Sequence, residues 1–121
     1  MKFWRKAVPA FLQNSRRLSA DVRLFEEAFK VLQEQNKLDT VMPMLENRLL
    51  GMRDKTDSRL LTAKLYLMLN RNDEAKALVL ELSLNPTDEI ERRQMTTTLL
   101  MQFGMYRELE AMNRLLSERK N

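Results

Sequence analysis

The chain has no cysteine and no histidine in its 121 residues. The first absence removes disulfides, thiol nucleophiles and cysteine-ligated metals, and leaves the redox compartment open. The second removes the commonest general base and the commonest metal ligand. Glycine and proline are scarce, at two and three residues, too few for the many turns of a β sandwich or barrel. No apolar run approaches the roughly 18 residues of a membrane span. What is present is 44% hydrophobic and 31% charged, ordinary for a globular chain and too apolar for simple disorder. The length suits one domain.

The net charge of +4 is unevenly placed. Residues 1–20 carry Lys2, Arg5, Lys6, Arg16 and Arg17 and no acid. Beyond them acidic residues slightly outnumber basic ones, so the body is nearly neutral with mixed signs, the pattern of a solvated face. A nucleic-acid-binding body would more often carry a basic stripe of its own.

Apolar residues recur at helical spacing almost throughout. Leu60, Leu61, Ala63, Leu65, Leu67, Met68 and Leu69 crowd as in a helix buried on more than one side. No stretch alternates strictly over six residues, so an all-α fold is expected. The pattern predicts helices at about 21–34, 38–50, 58–69, 72–84, 88–102 and 105–118. Breaks fall at Gln35-Asn36, Gly51 to Asp57, Asn70 to Asn72, Asn85-Pro86 and Phe103-Gly104, where Asn and Gly suit the left-handed residue that ends a helix. Asp54, Asp57, Thr87 and Asp88 are candidates to accept the first free amides of the following helices. Pro43 falls in or just past a first turn, where it either kinks that helix or delays its start.

The breaks have a period. Asn36, Asn70 and Gly104 are spaced 34 residues apart, and the same shift superposes Val41, Ala75 and Leu109, Met44, Leu78 and Met112, and Leu32, Tyr66 and Leu100. The clearest stretch runs from Leu69-Asn70-Arg71-Asn72-Asp73-Glu74-Ala75 to Asn85-Pro86; the third unit offers Gly104-Met105-Tyr106-Arg107-Glu108-Leu109. In these features the chain resembles the tetratricopeptide repeat family, whose unit is a 34-residue helical hairpin. It departs from the family pattern where Phe29, Ala63 and Thr97 stand in place of a mid-helix glycine. Another helical-hairpin repeat is the alternative. The resemblance implies a right-handed stack of about three antiparallel hairpins, with units near 22–55, 56–89 and 90–121, forming one domain over 21–121.

In the resembled family the first helices of successive units line a concave groove. Carried onto this chain, that implies Arg23, Glu26, Lys30, Gln33 and Glu34 in the first unit. It implies Leu60, Lys64, Leu67 and Met68 in the second, and Glu91, Gln94, Thr98, Met101 and Gln102 in the third. Lys30 and Lys64 become neighbours, a pair suited to an amphipathic or acidic peptide. The nine methionines, including Met42, Met44, Met68 and Met101, serve as core filler or as an adaptable binding surface.

Little here supports chemistry. The acidic pairs Glu26-Glu27 and Asp73-Glu74 read as solvated surface, with no base–nucleophile pair and no glycine-rich phosphate loop beside them. The chain is expected not to be an enzyme and to hold no cofactor and no metal.

Two segments flank the repeats. In residues 1–20, Phe3, Trp4, Ala7, Val8, Phe11, Leu12 and Leu18 fall near one helical face, and the basic side chains of Lys2, Arg5, Lys6, Arg16 and Arg17 lie largely elsewhere. Pro9 interrupts that face. This segment reads as a cap on the first hairpin from Phe11 to Leu18, as a membrane-surface anchor, or as a mitochondrial presequence. At the other end the sequence stops about three residues past the third hairpin, so an exposed apolar edge is expected at Met105, Met112 or Leu116, available for self-association or for a larger complex.

The leading functional expectation is a protein–protein interaction module, a small adaptor or chaperone-like protein holding a helix or peptide of a partner, and cytoplasmic. Bacterial secretion chaperones resemble it in size and repeat type. The runner-up is an accessory protein held at a membrane or on nucleic acid by the basic N-terminal segment.

Overall fold

A computed structural model describes residues 20–120 as six α-helices, with no strand among the described residues. They are α1 (Ala20–Glu34), α2 (Leu38–Leu50), α3 (Lys55–Met68), α4 (Asn72–Leu84), α5 (Ile90–Gln102) and α6 (Tyr106–Lys120). The all-α expectation holds for the described residues, and all six helix starts fall within three residues of those read from the sequence pattern or coincide with them. The largest difference is at α3, which begins at Lys55 rather than 58 because Asp54 caps it, its carboxylate accepting from the Asp57 N–H at 3.0 Å.

Three turns share one geometry. Asn36, Asn70 and Gly104 have φ of 58°, 61° and 67°. After each, the next N–H reaches back to a carbonyl five residues earlier: Lys37 to Leu32, Arg71 to Tyr66 and Met105 to Leu100, each at 2.8 Å. The left-handed residue itself donates to Gln33, Leu67 and Met101. This is the paired hydrogen bonding of a Schellman motif, which satisfies carbonyls that a helix end leaves open. The Arg71 guanidinium also lies 4.9 Å from the Tyr66 ring centre, adding a side-chain contact across the second turn. The left-handed reading does not hold after α2 and α4: Gly51 and Asn85 both keep negative φ, and neither closes a Schellman pair.

Pro43 sits inside α2, which neither starts later nor stops there. It lacks the N–H that would close on the Asp39 carbonyl, and because it is exposed near the first turn that group stays open to water.

Two apolar clusters fill the interior. The first gathers Val22 and Phe29 of α1, Leu38, Leu45 and Leu49 of α2, and Leu61 and Leu65 of α3. The second gathers Leu60 and Ala63 of α3, Val79 and Leu82 of α4, Leu99 and Leu100 of α5, and Met112 and Leu116 of α6. Helix α3 therefore buries two sides, which accounts for its crowded apolar sequence. It packs along α4 and also against α1, α2 and α5, and α6 rests on α4 and α5. Ala75 at the start of α4 is fully buried, as a small residue at a close approach should be. The end of α6 is tied down where Arg119 donates to the Pro86 carbonyl at 2.6 Å.

A buried ion pair joins α3 to α5. The Arg92 guanidinium donates to both Asp57 oxygens, Nε to Oδ1 at 2.6 Å and Nη2 to Oδ2 at 3.1 Å. Asp57 is 1% exposed and Arg92 7%. Glu89 and Asp54 flank the same guanidinium. Asp57 is thus a charge partner across the fold and not the capping acceptor its position suggested; Asp54 has that role. Asp88 does not cap α5 either: Thr87 Oγ1 accepts the Glu89 N–H at 3.1 Å, and the helix begins two residues later than expected.

Candidate interaction groove

Arg23 on α1, Lys64 on α3, and Glu91, Gln94 and Thr98 on α5 come together around an open cavity of about 500 Å³. Gln102 also lines it, and Met95 and the buried Leu99 supply its apolar floor. A second cavity of about 420 Å³ shares Arg23 and Lys64 and adds Glu26, Lys30, Phe29 and Met68. The helical period explains the grouping. Arg23, Glu26 and Lys30 recur at three and four residues along α1, as do Gln94 and Thr98 on α5, so each set shares a helix face.

The charges in this groove are mutually paired. Lys64 Nζ is bonded to Glu26 Oε2 across α1 and α3. Arg23 lies 3.7 Å from Glu91 across α1 and α5. Both pairs are partly exposed, so each contributes at most about 1 kcal/mol to stability. Their chemical consequence is larger. The lysine pair Lys30 and Lys64 does line one cavity, but three acids, Glu26, Glu27 and Glu91, stand beside it. The groove wall is a mixed-charge surface over an apolar floor, and not the basic trough the lysines alone implied.

Of the residues carried over from the family register, Arg23, Lys30, Lys64, Met68, Gln94 and Thr98 line these two cavities. Three do not. Leu60 is fully buried in the second cluster. Leu67 packs against that same cluster. Met101 is exposed but lines neither cavity. Met95 and Leu99, which form the floor, were not singled out, because an apolar residue on a two-sided helix gives no local sign of which side it serves.

The chain matches no protein-family model, no curated protein and no solved structure. Its function is therefore read from the groove itself.

The expected C-terminal edge is corrected. Met112 and Leu116 are buried, at 1% and 4% exposure, because α6 packs on both α4 and α5 and presses them into the second cluster. Met105 is partly buried against the same cluster. The exposed large apolar side chains of this hairpin are Ile90, Met101, Tyr106 and Leu115. Lys2, Trp4, Arg5, Lys6, Arg16 and Arg17 lie outside the described residues. Among the described residues no helix is long and apolar enough to cross a membrane, and no three metal-capable side chains cluster.

On the opposite side of α3, the Tyr66 hydroxyl donates to Glu46 Oε2 at 2.5 Å and links α3 to α2. Burial, with that hydrogen bond and the Glu46 charge, pushes the phenol up to about 12. It stays neutral across the working pH range, and this pair has a structural role.

Proposed function

We propose that the chain is a protein–protein interaction module of the tetratricopeptide-like kind. In this reading α1–α2, α3–α4 and α5–α6 are three hairpins in a right-handed stack, and the first helices α1, α3 and α5 line a concave groove for a helix or extended peptide of a partner. The recurrence of one Schellman turn at 34-residue spacing supports the repeat reading. The contacts of α3 with both α1 and α5 support the stacking order.

The observation that carries the function is the pair of adjoining cavities that share Arg23 and Lys64 and draw side chains from all three first helices. Their apolar floor and alternating charges suit a segment with both apolar and mixed polar side chains. An all-acidic peptide would meet Glu26, Glu27 and Glu91 and be repelled. The partner is held as one component of a larger complex, and no catalytic step belongs to the module.

Affinity capture with the full chain tests this, run beside the Lys64→Glu, Met68→Ala double variant. A partner bound by the wild type should be lost by a variant that still melts cooperatively. It should persist from low to moderate salt, since the apolar floor is not screened. Undiminished capture by a folded variant would move the site off this groove.

A further inference from the structure

The groove of α1, α3 and α5 has two unlike walls. On α5, Gln94, Thr98 and Gln102 recur every four residues, all exposed and all uncharged. The α1 wall is charged. Arg23 is engaged with Glu91 and Glu26 with Lys64. Glu27 and Lys30 also line this wall, are exposed, and form no ion pair among the described residues.

Taking this groove as the binding site, we propose that its occupant is an extended peptide segment and not a helix. Its backbone is held along α5, and an acidic and a basic side chain two residues apart meet Lys30 and Glu27. The first argument is width. Arg23 Nη2 lies 3.7 Å from Glu91 Oε2 and bridges the starts of α1 and α5. A helix is about 10–12 Å across, and seated between these walls it would part that pair. An extended chain stands only about 5 Å from its neighbour in the hydrogen-bonding direction and fits beside it. The second argument is pitch. Gln94 and Gln102 are separated by two four-residue steps of one helix, about 12 Å. Residues four apart in an extended chain are about 13 Å apart and turn their N–H and C=O groups to the same side. Each glutamine amide carries a donor and an acceptor, the pair needed to engage such a residue. Thr98 stands between them. Its hydroxyl donates to the Gln94 carbonyl at 2.9 Å, which leaves its oxygen to accept the intervening peptide N–H. A helix has no such groups to offer, because its backbone is bonded internally. The third argument is charge. With the backbone edge toward α5, alternate side chains point down to Met68, Met95 and Leu99 and up to the rim. Glu27 and Lys30 stand about one helical turn apart. Upward side chains two residues apart are about 7 Å apart, and long charged side chains span the difference. One order of acid and base is attracted to these two residues, and the reverse order is repelled.

The probe is a displayed library of random dodecapeptides, selected on the immobilised full chain. A parallel selection uses the Glu27→Lys, Lys30→Glu double variant, which keeps both charges and exchanges their places. Every variant is first checked for a cooperative melt. Enriched peptides should alternate apolar and polar residues and carry an acid and a base two residues apart. That pair should appear in one order on the wild type and in the opposite order on the variant. A synthetic copy of the most enriched wild-type peptide should bind about tenfold more weakly to the Gln94→Ala, Gln102→Ala variant, which removes two of the hydrogen bonds. The same charge order on both chains would overturn the proposal, as would no enrichment or unchanged affinity for the glutamine variant. Tighter binding of a copy stiffened into a helix with α-aminoisobutyrate would also overturn it. The Lys64→Glu, Met68→Ala variant separates this proposal from the groove reading beneath it. If that variant no longer binds the peptide, the groove is the site, and a failed charge or backbone test removes the extended mode alone. If it binds the peptide undiminished, the site lies elsewhere and both readings fall.

Discussion

The two outer hairpins solve the same problem in opposite ways. Helix α6 turns Met112 and Leu116 inward and presents Glu110, Asn113, Arg114 and Ser117 to solvent. Helices α1 and α2 instead expose Leu24, Met44 and Leu50, and an apolar groove runs between them. A helix on the outside of a stack must have a polar outer face or a cover. The C-terminal hairpin has the first. The N-terminal hairpin, among the described residues, has neither. The N-terminal helices are also the more apolar pair in sequence, so composition and the number of neighbours each helix finds both set the difference.

The sharpest test of that contrast exchanges a charge into each end. Met112→Glu places a carboxylate in the second cluster and should cost about 4 kcal/mol or more, read as a shifted denaturant midpoint. Met44→Glu on the open groove should cost at most about 1 kcal/mol of the stability of α1–α6. Equal losses would mean the two ends are packed alike.

Next in size is the ion pair that joins the halves. Arg92→Met strands Asp57 without its partner and should cost about 3–5 kcal/mol. Asp57→Leu combined with Arg92→Met should recover most of that loss, because no buried charge is left unpaired. A double-mutant cycle in chemical denaturation checks both, and a double variant as weak as the single one would show that the pair stabilises the fold outright.

Ala75→Phe overpacks the start of α4, where α3 lies close, and should cost roughly 1–3 kcal/mol. A neutral melt would mean that the small residue is incidental to the register.

The smallest effect belongs to the turns. At Gly104 a Cβ would meet nothing within 4 Å, so Gly104→Ala tests backbone conformation alone. Its φ of 67° should make the change cost about 1 kcal/mol. Asn70→Gly, at the matching turn in the middle of the chain, should be neutral or slightly stabilising, since glycine adopts that conformation without a side-chain penalty. Thermal melts of the pair should move in opposite directions.

Local features were legible in advance because their causes lie within a few residues. Asn36, Asn70 and Gly104 each end a helix by adopting a backbone angle that Asn and Gly tolerate, and the following polar residues mark where the next helix can begin. The crowding of Leu60, Leu61, Ala63 and Leu65 showed that one helix would be covered on two sides. The same reading misjudged Asp57, because a carboxylate in a first turn looks like a cap wherever its distant partner stands. It misjudged Met112 and Leu116 because periodicity gives the apolar face of a helix but not the number of helices packed on it.

The sequence by itself determined that the described residues are helical and, to within about three residues, where the six helices begin, because hydrogen bonds within a helix and the sterics of one residue act over short spans of chain. Tertiary structure alone decided that Arg92 would be buried on Asp57, that Glu26 would meet Lys64, and that the last hairpin would close while the first stays open. Those outcomes depend on which faces come within a few ångströms of each other, and residues more than thirty positions apart carry no local mark of that encounter.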